Sequence, residues 1–79
     1  MELAETLRSK LGGSWEGDEE ECQGLLESNG RKLKVTLERD GDAHVCEVFD
    51  GGAVVGSARA SPATRAVGEA LRAWRRGAG

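Results

Sequence analysis

The clearest pattern along the chain is a strict alternation of apolar and polar residues between Arg31 and Arg39. Its apolar positions lie two apart and face one side of a strand, whereas the lysine, threonine and glutamate residues between them face the other side. Asn29-Gly30 separates this run from a second extended run, Cys22–Ser28. Because asparagine and glycine tolerate a positive φ, the dipeptide predicts a two-residue hairpin between two strands.

Two further strands are predicted after glycine-containing turns. Asp40-Gly41-Asp42 precedes a strand over Ala43–Phe49, and Asp50-Gly51-Gly52 precedes a strand over Ala53–Arg59. The strand over 43–49 carries apolar residues on both faces, so it is either covered on two sides or presents an interface on its second face. One face has Val45 and Phe49, and the other has His44, Cys46 and Val48.

The first segment of the chain has the periodicity of an amphipathic helix. Leu3, Leu7 and Leu11 are four residues apart and share one helix face, which predicts a helix over about residues 2–10. Gly12-Gly13 then ends the helix. An acidic linker over Glu16–Glu21 is expected between this helix and the first strand.

A second helix is predicted from Ser61-Pro62 to Gly77. The serine hydroxyl can cap a free backbone N–H, and proline is pre-set for the first helical position. The residues behind it repeat at helical spacing and form one apolar stripe. The stripe consists of Ala63, Ala66, Val67, Ala70, Leu71 and Trp74.

These elements predict an α+β fold in the order α-β-β-β-β-α. We expect one small domain over residues 1–79, in which a four-stranded antiparallel meander packs against an N-terminal and a C-terminal helix. The two helices either share one face of the sheet or cover one face each in an α/β/α sandwich. The apolar residues on both faces of the third strand favour the sandwich.

Composition limits the chain to one small hydrophobic core. It has 79 residues, of which 38% are hydrophobic and 32% charged, which excludes a disordered tail. Free thiols are favoured over a disulfide between Cys22 and Cys46, because a single pair is not a disulfide framework. The acidic N-terminus is no signal peptide and no apolar run is long enough for a membrane, so we expect a cytoplasmic protein without a membrane partner.

The charge is distributed unevenly, although the net charge is only −3. Residues 58–79 carry five arginines and one acid, a net +4, whereas residues 1–57 carry six bases and thirteen acids, a net −7. The arginines either only solubilise the last helix and complement its dipole, or bind the carboxylates or phosphates of a partner. The candidate partner-binding residues are Arg65, Arg72, Arg75, Arg76, Glu19, Glu20 and Glu21.

No cluster of residues has the pattern of a catalytic, metal or cofactor site. His44 is the only histidine and lies two residues from Cys46, which would give two metal ligands, with Cys22 as a third where a structural zinc site needs four. No orienting acid or oxyanion loop accompanies a Cys46–His44 pair. We therefore predict no metal, no cofactor and no enzymatic activity, with a small Cys46–His44 enzyme as the least favoured hypothesis.

Three known families resemble parts of the chain. The stretch GGAVVGSARASPATRAVGEALRAW resembles small phage proteins of the α/β/α-sandwich type, which implies a phage or prophage origin and no enzymatic activity. The order of elements is similar to the double-stranded-RNA-binding domain, which implies RNA binding near the start of the last helix, where this chain carries only Arg65. Leu33–Asp50 and the following helix resemble the partial RNase-H fold of HicB-type antitoxins, which implies a toxin-binding half.

The leading functional hypothesis is a non-enzymatic protein-binding module. In this hypothesis a phage or mobile-element protein inhibits or adapts a host protein complex in the host cytoplasm, using its acidic segment and its basic helix end. The alternative is a small RNA- or DNA-binding domain that uses Lys32, Lys34 and the C-terminal arginines. A homodimer is a further alternative, because a core this small is only marginally stable alone.

Overall fold

Short turns join five consecutive strands into one antiparallel sheet. One helix precedes the strands in the chain and a second helix follows them. The computed structural model describes residues 3–18, 20–28 and 30–77. The α+β class and both helices are confirmed, but the prediction of four strands is wrong because the sheet has five. The elements are α1 (Leu3–Leu11), β1 (Ser14–Gly17), β2 (Glu21–Ser28), β3 (Arg31–Asp40), β4 (Ala43–Asp50), β5 (Ala53–Ala60) and α2 (Ala63–Gly77).

The additional strand, β1, occupies the start of the segment expected to be an acidic linker. Its central residue Trp15 packs over Gly24 of β2, where an added Cβ would lie 2.6 Å from Cδ2 and Cε3 of the indole ring. The indole Nε1 donates a hydrogen bond to the carbonyl of Gly12 at 2.7 Å. The acidic segment is therefore the hairpin between β1 and β2, anchored by one buried tryptophan.

The strands lie side by side in chain order, β1-β2-β3-β4-β5, and every neighbouring pair is antiparallel. Ser28 of β2 is opposite Arg31 of β3, and Gly30 between them has a φ of +78°. The predicted two-residue hairpin is thus confirmed, although Asn29 itself lies outside the described residues. At the other edge, the pairing of β4 with β5 contains a bulge at Val48/Phe49.

Both helices pack on the same face of the sheet, so the favoured sandwich arrangement is wrong. Helix α1 contacts β1 and β2, α2 contacts β4 and β5, and the two helices contact each other. The buried Ala4 and Leu7 of α1 join the same core as the buried stripe of α2. The apolar residues on the second face of β4 are therefore not covered by a helix.

Helix α2 makes the closest contact with the sheet. At Gly56 of β5 an added Cβ would overlap the carbonyl oxygen of Ala70 and would lie 3.0 Å from the backbone nitrogen of Trp74. Glycine at this position lets the helix backbone approach the strand. The predicted apolar stripe of α2 is confirmed, with Leu71 half-buried and the other members buried.

The start of α2 differs by one position from the prediction. The carbonyl of Pro62 accepts hydrogen bonds from the amides of Arg65 at 3.0 Å and Ala66 at 3.2 Å, so Pro62 precedes the first helical residue, Ala63. Among the described residues no side-chain hydrogen bond of Ser61 caps the helix. The backbone of Pro62, rather than the hydroxyl of Ser61, thus begins the helical hydrogen-bond pattern.

The core between the sheet and the helices consists of small and aliphatic side chains together with the two tryptophans, Trp15 and Trp74. Cys22 and Cys46 are buried in it as free thiols, as favoured from the sequence, in one row across the sheet with Leu37 between them. No described helix combines the length and the apolar character needed to cross a membrane. The buried core residues of the strands are Trp15, Cys22, Leu33, Val35, Leu37, Cys46 and Val48.

Candidate protein-binding surface

The sheet has one face without helices, which we call the open face. Side chains alternate between the faces of a strand, and each core residue of β2 to β4 leaves its neighbours pointing away from the helices. Thus Cys22, Leu37 and Cys46 face the helices, and Gln23, Thr36 and Glu47 share the open face.

Three apolar side chains cross the open face in one line, which we call the apolar row: Leu25 on β2, Phe49 on β4 and Val54 on β5. Leu25 is opposite Lys34, Lys34 is opposite Phe49, and Phe49 is opposite Val54. Leu25 and Val54 keep 55% and 51% of their surface exposed, more than any other large hydrophobic residue described, and Phe49 is half-buried. The row therefore places apolar surface in contact with water.

Four glutamates lie on the open face on one side of the apolar row, and we call them the acidic band: Glu16, Glu21, Glu38 and Glu47. Glu47 is two residues from the row along its strand, Glu16 is at the same level on β1, and Glu21 and Glu38 are four residues from the row. Each comes from a different strand, β1 to β4. Glu21 is directly opposite Glu38, a pairing of like charges that opposes strand association. Among the described residues, none of the four takes part in an ion pair.

The open face is not flat, because depressions flank the lysine in the middle of the apolar row. One, of about 390 Å³, is lined by Leu25, Lys32, Lys34 and Phe49 among others. Another, of about 270 Å³, lies on the side of Glu16 and Gln23. Both are open to solvent and large enough for the side chains of a partner protein.

The predicted acidic partner residues have different environments. Glu20 forms an ion pair with Arg39 at 3.3 Å, and Glu21 belongs to the acidic band. Glu19 lies outside the described residues. The amides of Glu20 and Glu21 donate to Oδ1 of Asp18 at 2.9 and 3.0 Å, and these two hydrogen bonds lower the pKa of Asp18 below its usual 3.8.

The predicted basic residues lie on the helical side of the molecule. Arg65 is 4.0 Å from Glu69 one turn later, whereas Arg72, Arg75 and Arg76 are exposed and have no ion pair within the described part of the chain. Because α2 runs back along β5 with Trp74 near Gly56, its arginine end lies away from the β1–β2 hairpin. The structure thus does not bring the basic and acidic candidates together.

The Cys46–His44 pair lacks the properties of a catalytic dyad. Burial raises the pKa of the Cys46 thiol to about 12, so the thiolate nucleophile is not formed near neutral pH. Burial also raises the pKa of Cys22. Within the described residues, the buried Nδ1 of His44 has no hydrogen-bond partner. The His44 side chain lines a cavity of about 340 Å³ between the first turns of the two helices.

The surface contains no described cluster that could act as a metal site. Within residues 3–18, 20–28 and 30–77, no group of three or more His, Cys, Asp or Glu side chains is placed to hold a metal ion. The glutamates of the acidic band lie on four separate strands and are spread across the sheet. They form an extended charged surface rather than a coordination sphere.

The exposed apolar residues Leu25 and Val54 of the open face were not predicted from the sequence as candidate site residues. Leu25 lies next to Leu26, and only the strand register shows that Leu26, opposite Leu33, faces the helices. The sequence did contain one signal for this surface, the second apolar face of β4 formed by Val45 and Phe49. It predicted either a strand covered on both sides or an interface on that face.

No protein-family model, curated protein or solved structure matches this chain. The resemblances to phage proteins, RNA-binding domains and antitoxins therefore remain predictions. Any functional conclusion has to come from the chemistry of the surfaces themselves.

Proposed function

We propose that this chain is a non-enzymatic protein-binding domain and that its open face is the binding surface. The observation that carries the proposal is the apolar row, in which Leu25 and Val54 are more than half exposed beside Phe49. Isolated exposed apolar residues are ordinary, whereas an exposed apolar patch is typical of interaction sites. Phe49 and Val54 are direct neighbours in the row, and Lys34 stands between them and Leu25. Covering the row removes apolar surface from water and stabilises the complex.

The dimensions of the open face suit a protein partner. Strands about 4.8 Å apart and about eight residues long give a five-stranded sheet a face on the order of 600 Å². A standard protein–protein interface buries about 800 Å² on each partner. The open face alone is thus somewhat smaller than a standard interface, and a partner that also covers its rim reaches the standard size.

The wider role within this proposal is that of a protein that inhibits or adapts a larger host complex. It rests on the resemblance of residues 51–74 to small phage proteins and on the small size of the chain. In this role the protein acts by occupying a surface of its partner, which agrees with a Cys46 thiol that burial keeps protonated.

A capture experiment with matched variants tests the proposal. Immobilised wild-type protein is expected to retain a stoichiometric protein from a lysate of the cells in which the chain occurs, and Leu25→Asp/Val54→Asp is expected to lose it. Ser9→Asp/Ser61→Asp adds two carboxylates at exposed positions on the helical side and should retain the protein like the wild type. No stoichiometric capture by the wild type, or equal capture by all three forms, contradicts the proposal.

A second candidate function, nucleic-acid binding, is favoured by one observation on α2. Arg72, Arg75 and Arg76 are exposed and unpaired in the described structure, so they are available to phosphates. In a low-salt gel shift with RNA and DNA, this function requires binding that weakens steeply with salt and is lost in Arg72→Gln/Arg75→Gln/Arg76→Gln. Absence of binding, or binding without salt dependence, eliminates it.

A further inference from the structure

We infer that the open face takes a cationic partner segment, in which lysines or arginines lie next to apolar side chains. This inference rests on the proposed function and deepens it, because it states the chemistry of the partner. It follows from the juxtaposition of the apolar row with the acidic band.

The acidic band determines which partners can cover the apolar row. A neutral apolar surface placed on the open face would remove water from Glu16, Glu38 and Glu47 without replacing its hydrogen bonds, and burying unpaired carboxylates is costly. A partner with lysines or arginines in that place supplies both charge and donors. It also relieves the repulsion between Glu21 and Glu38, which are opposite each other.

The row and the band lie close enough for one segment to reach both. Gln23 and Glu47 stand two residues from Leu25 and Phe49 along their strands, a separation of about 7 Å. Glu16 is opposite Gln23 and Glu47 is opposite Thr36, so the nearest carboxylates run parallel to the apolar row. A segment lying across the strands thus presents apolar side chains to the row and cations to the band.

A second copy of this chain is a poorer occupant. Its open face would bring another acidic band and only a few cations, mainly Lys32 and Lys34, because Arg59 is already paired with Asp40 at 3.1 Å. Nucleic acid is disfavoured on this face for the same reason, since its phosphates would meet the glutamates.

Designed peptides of leucine and lysine provide the probe. Two forms of about 15 residues are used, one with helical spacing of its leucines and one with strict alternation, so that the peptide conformation does not decide the result. Matched peptides with glutamate in place of lysine control for apolar contact alone. Calorimetry measures binding at low salt, and amide chemical shifts of the labelled protein map the site.

At least one leucine–lysine peptide is expected to bind and to shift amides of the open face, whereas its glutamate counterpart does not bind. Each of Glu38→Gln and Glu47→Gln should weaken binding by roughly two- to fivefold at low salt, as for an exposed ion pair. Glu5→Gln, on the exposed side of α1, should leave the affinity unchanged. Leu25→Thr/Val54→Thr, which keeps β-forming side chains, should weaken binding of the same peptide.

Three results with the peptides overturn the inference: equal binding of the lysine and glutamate peptides, shifts confined to the helices, or no binding of either leucine–lysine peptide. A concentration-dependent dimer that Leu25→Asp/Val54→Asp abolishes, seen by sedimentation, overturns it in favour of a second copy. If neither leucine–lysine peptide binds but a lysate protein is still captured through Leu25 and Val54, the proposed function stands. Only the inference that the partner segment is cationic is then wrong.

Discussion

The two faces of the sheet use the same strands for different purposes. On the helical side, Leu37 and Val48 are completely buried, and small residues such as Gly56 let α2 pack closely. On the open face, Leu25 and Val54 remain in water beside unpaired glutamates. The comparison indicates that the helical side supplies most of the stability and the open face little of it, which the following substitutions test.

The largest effect is expected from truncating a leucine on each face. Leu37→Ala leaves a cavity in the core and should lower the free energy of unfolding by about 2 to 5 kcal/mol. Leu25→Ala removes the same atoms from an exposed position and should change it by less than about 0.5 kcal/mol. Urea denaturation of both variants measures the contrast, and similar losses would mean that the open face is also part of the stabilising core.

A pair of neighbouring residues on β5 gives the next contrast. Gly56→Ala places a Cβ against the backbone of α2 at Ala70 and Trp74, so we expect a loss of about 1 to 3 kcal/mol. Ser57→Ala, one position later and exposed, should stay within about 0.5 kcal/mol of the wild type. Thermal or urea unfolding measures both, and an undisturbed Gly56→Ala would contradict the close approach of α2.

We expect the repulsion within the acidic band to lower the free energy of unfolding. Glu38→Lys converts the repulsion with Glu21 into an attraction and should stabilise the fold by about 0.5 kcal/mol at low salt, with a smaller gain at high salt. Glu27→Lys provides the matched control, because it places a lysine opposite Lys32 and should destabilise by a similar amount. The midpoints of urea denaturation at two salt concentrations measure the stability of both variants. A Glu38→Lys variant less stable than the wild type would show that the band is not repulsive.

The smallest effect concerns the β1–β2 hairpin, which carries Glu16 and Glu21 of the acidic band. Because hydrogen bonds from the amides of Glu21 and Glu20 lower the pKa of Asp18, its contribution to stability is complete above the usual pKa of 3.8 and is lost as the pH falls through the lowered value. Asp18→Ala should therefore speed hydrogen exchange of those two amides at neutral pH. Unchanged exchange would contradict the hydrogen bonds to its carboxylate.

Much of the fold could be predicted from local patterns. The alternation over β3 and the helical spacing over α2 identify both elements, since each depends only on neighbouring residues. Strand β1 could not be found in this way, because it has four residues and only Trp15 is apolar. What places it in the sheet is the contact of that indole with Gly24 on the neighbouring strand, which the apolar pattern of β1 itself does not reveal.

The candidate site was less accessible to sequence reasoning. Alternation shows that Val45 and Phe49 share a face of β4, but it does not show which face the helices cover. The charged segments are visible in the sequence, whereas the line of Leu25, Phe49 and Val54 exists only once three strands are placed in register. A surface assembled across strands has no signature along any one of them.

The outer strands of the sheet bear on the behaviour of the protein at high concentration. An unpaired strand edge can template the addition of further chains, and an apolar sheet face adds to that hazard. Here β1 has only four residues and β5 is distorted by the bulge at Val48/Phe49. Both edges thus offer short or irregular ladders, which we expect to hinder the addition of further chains even where the open face stays exposed.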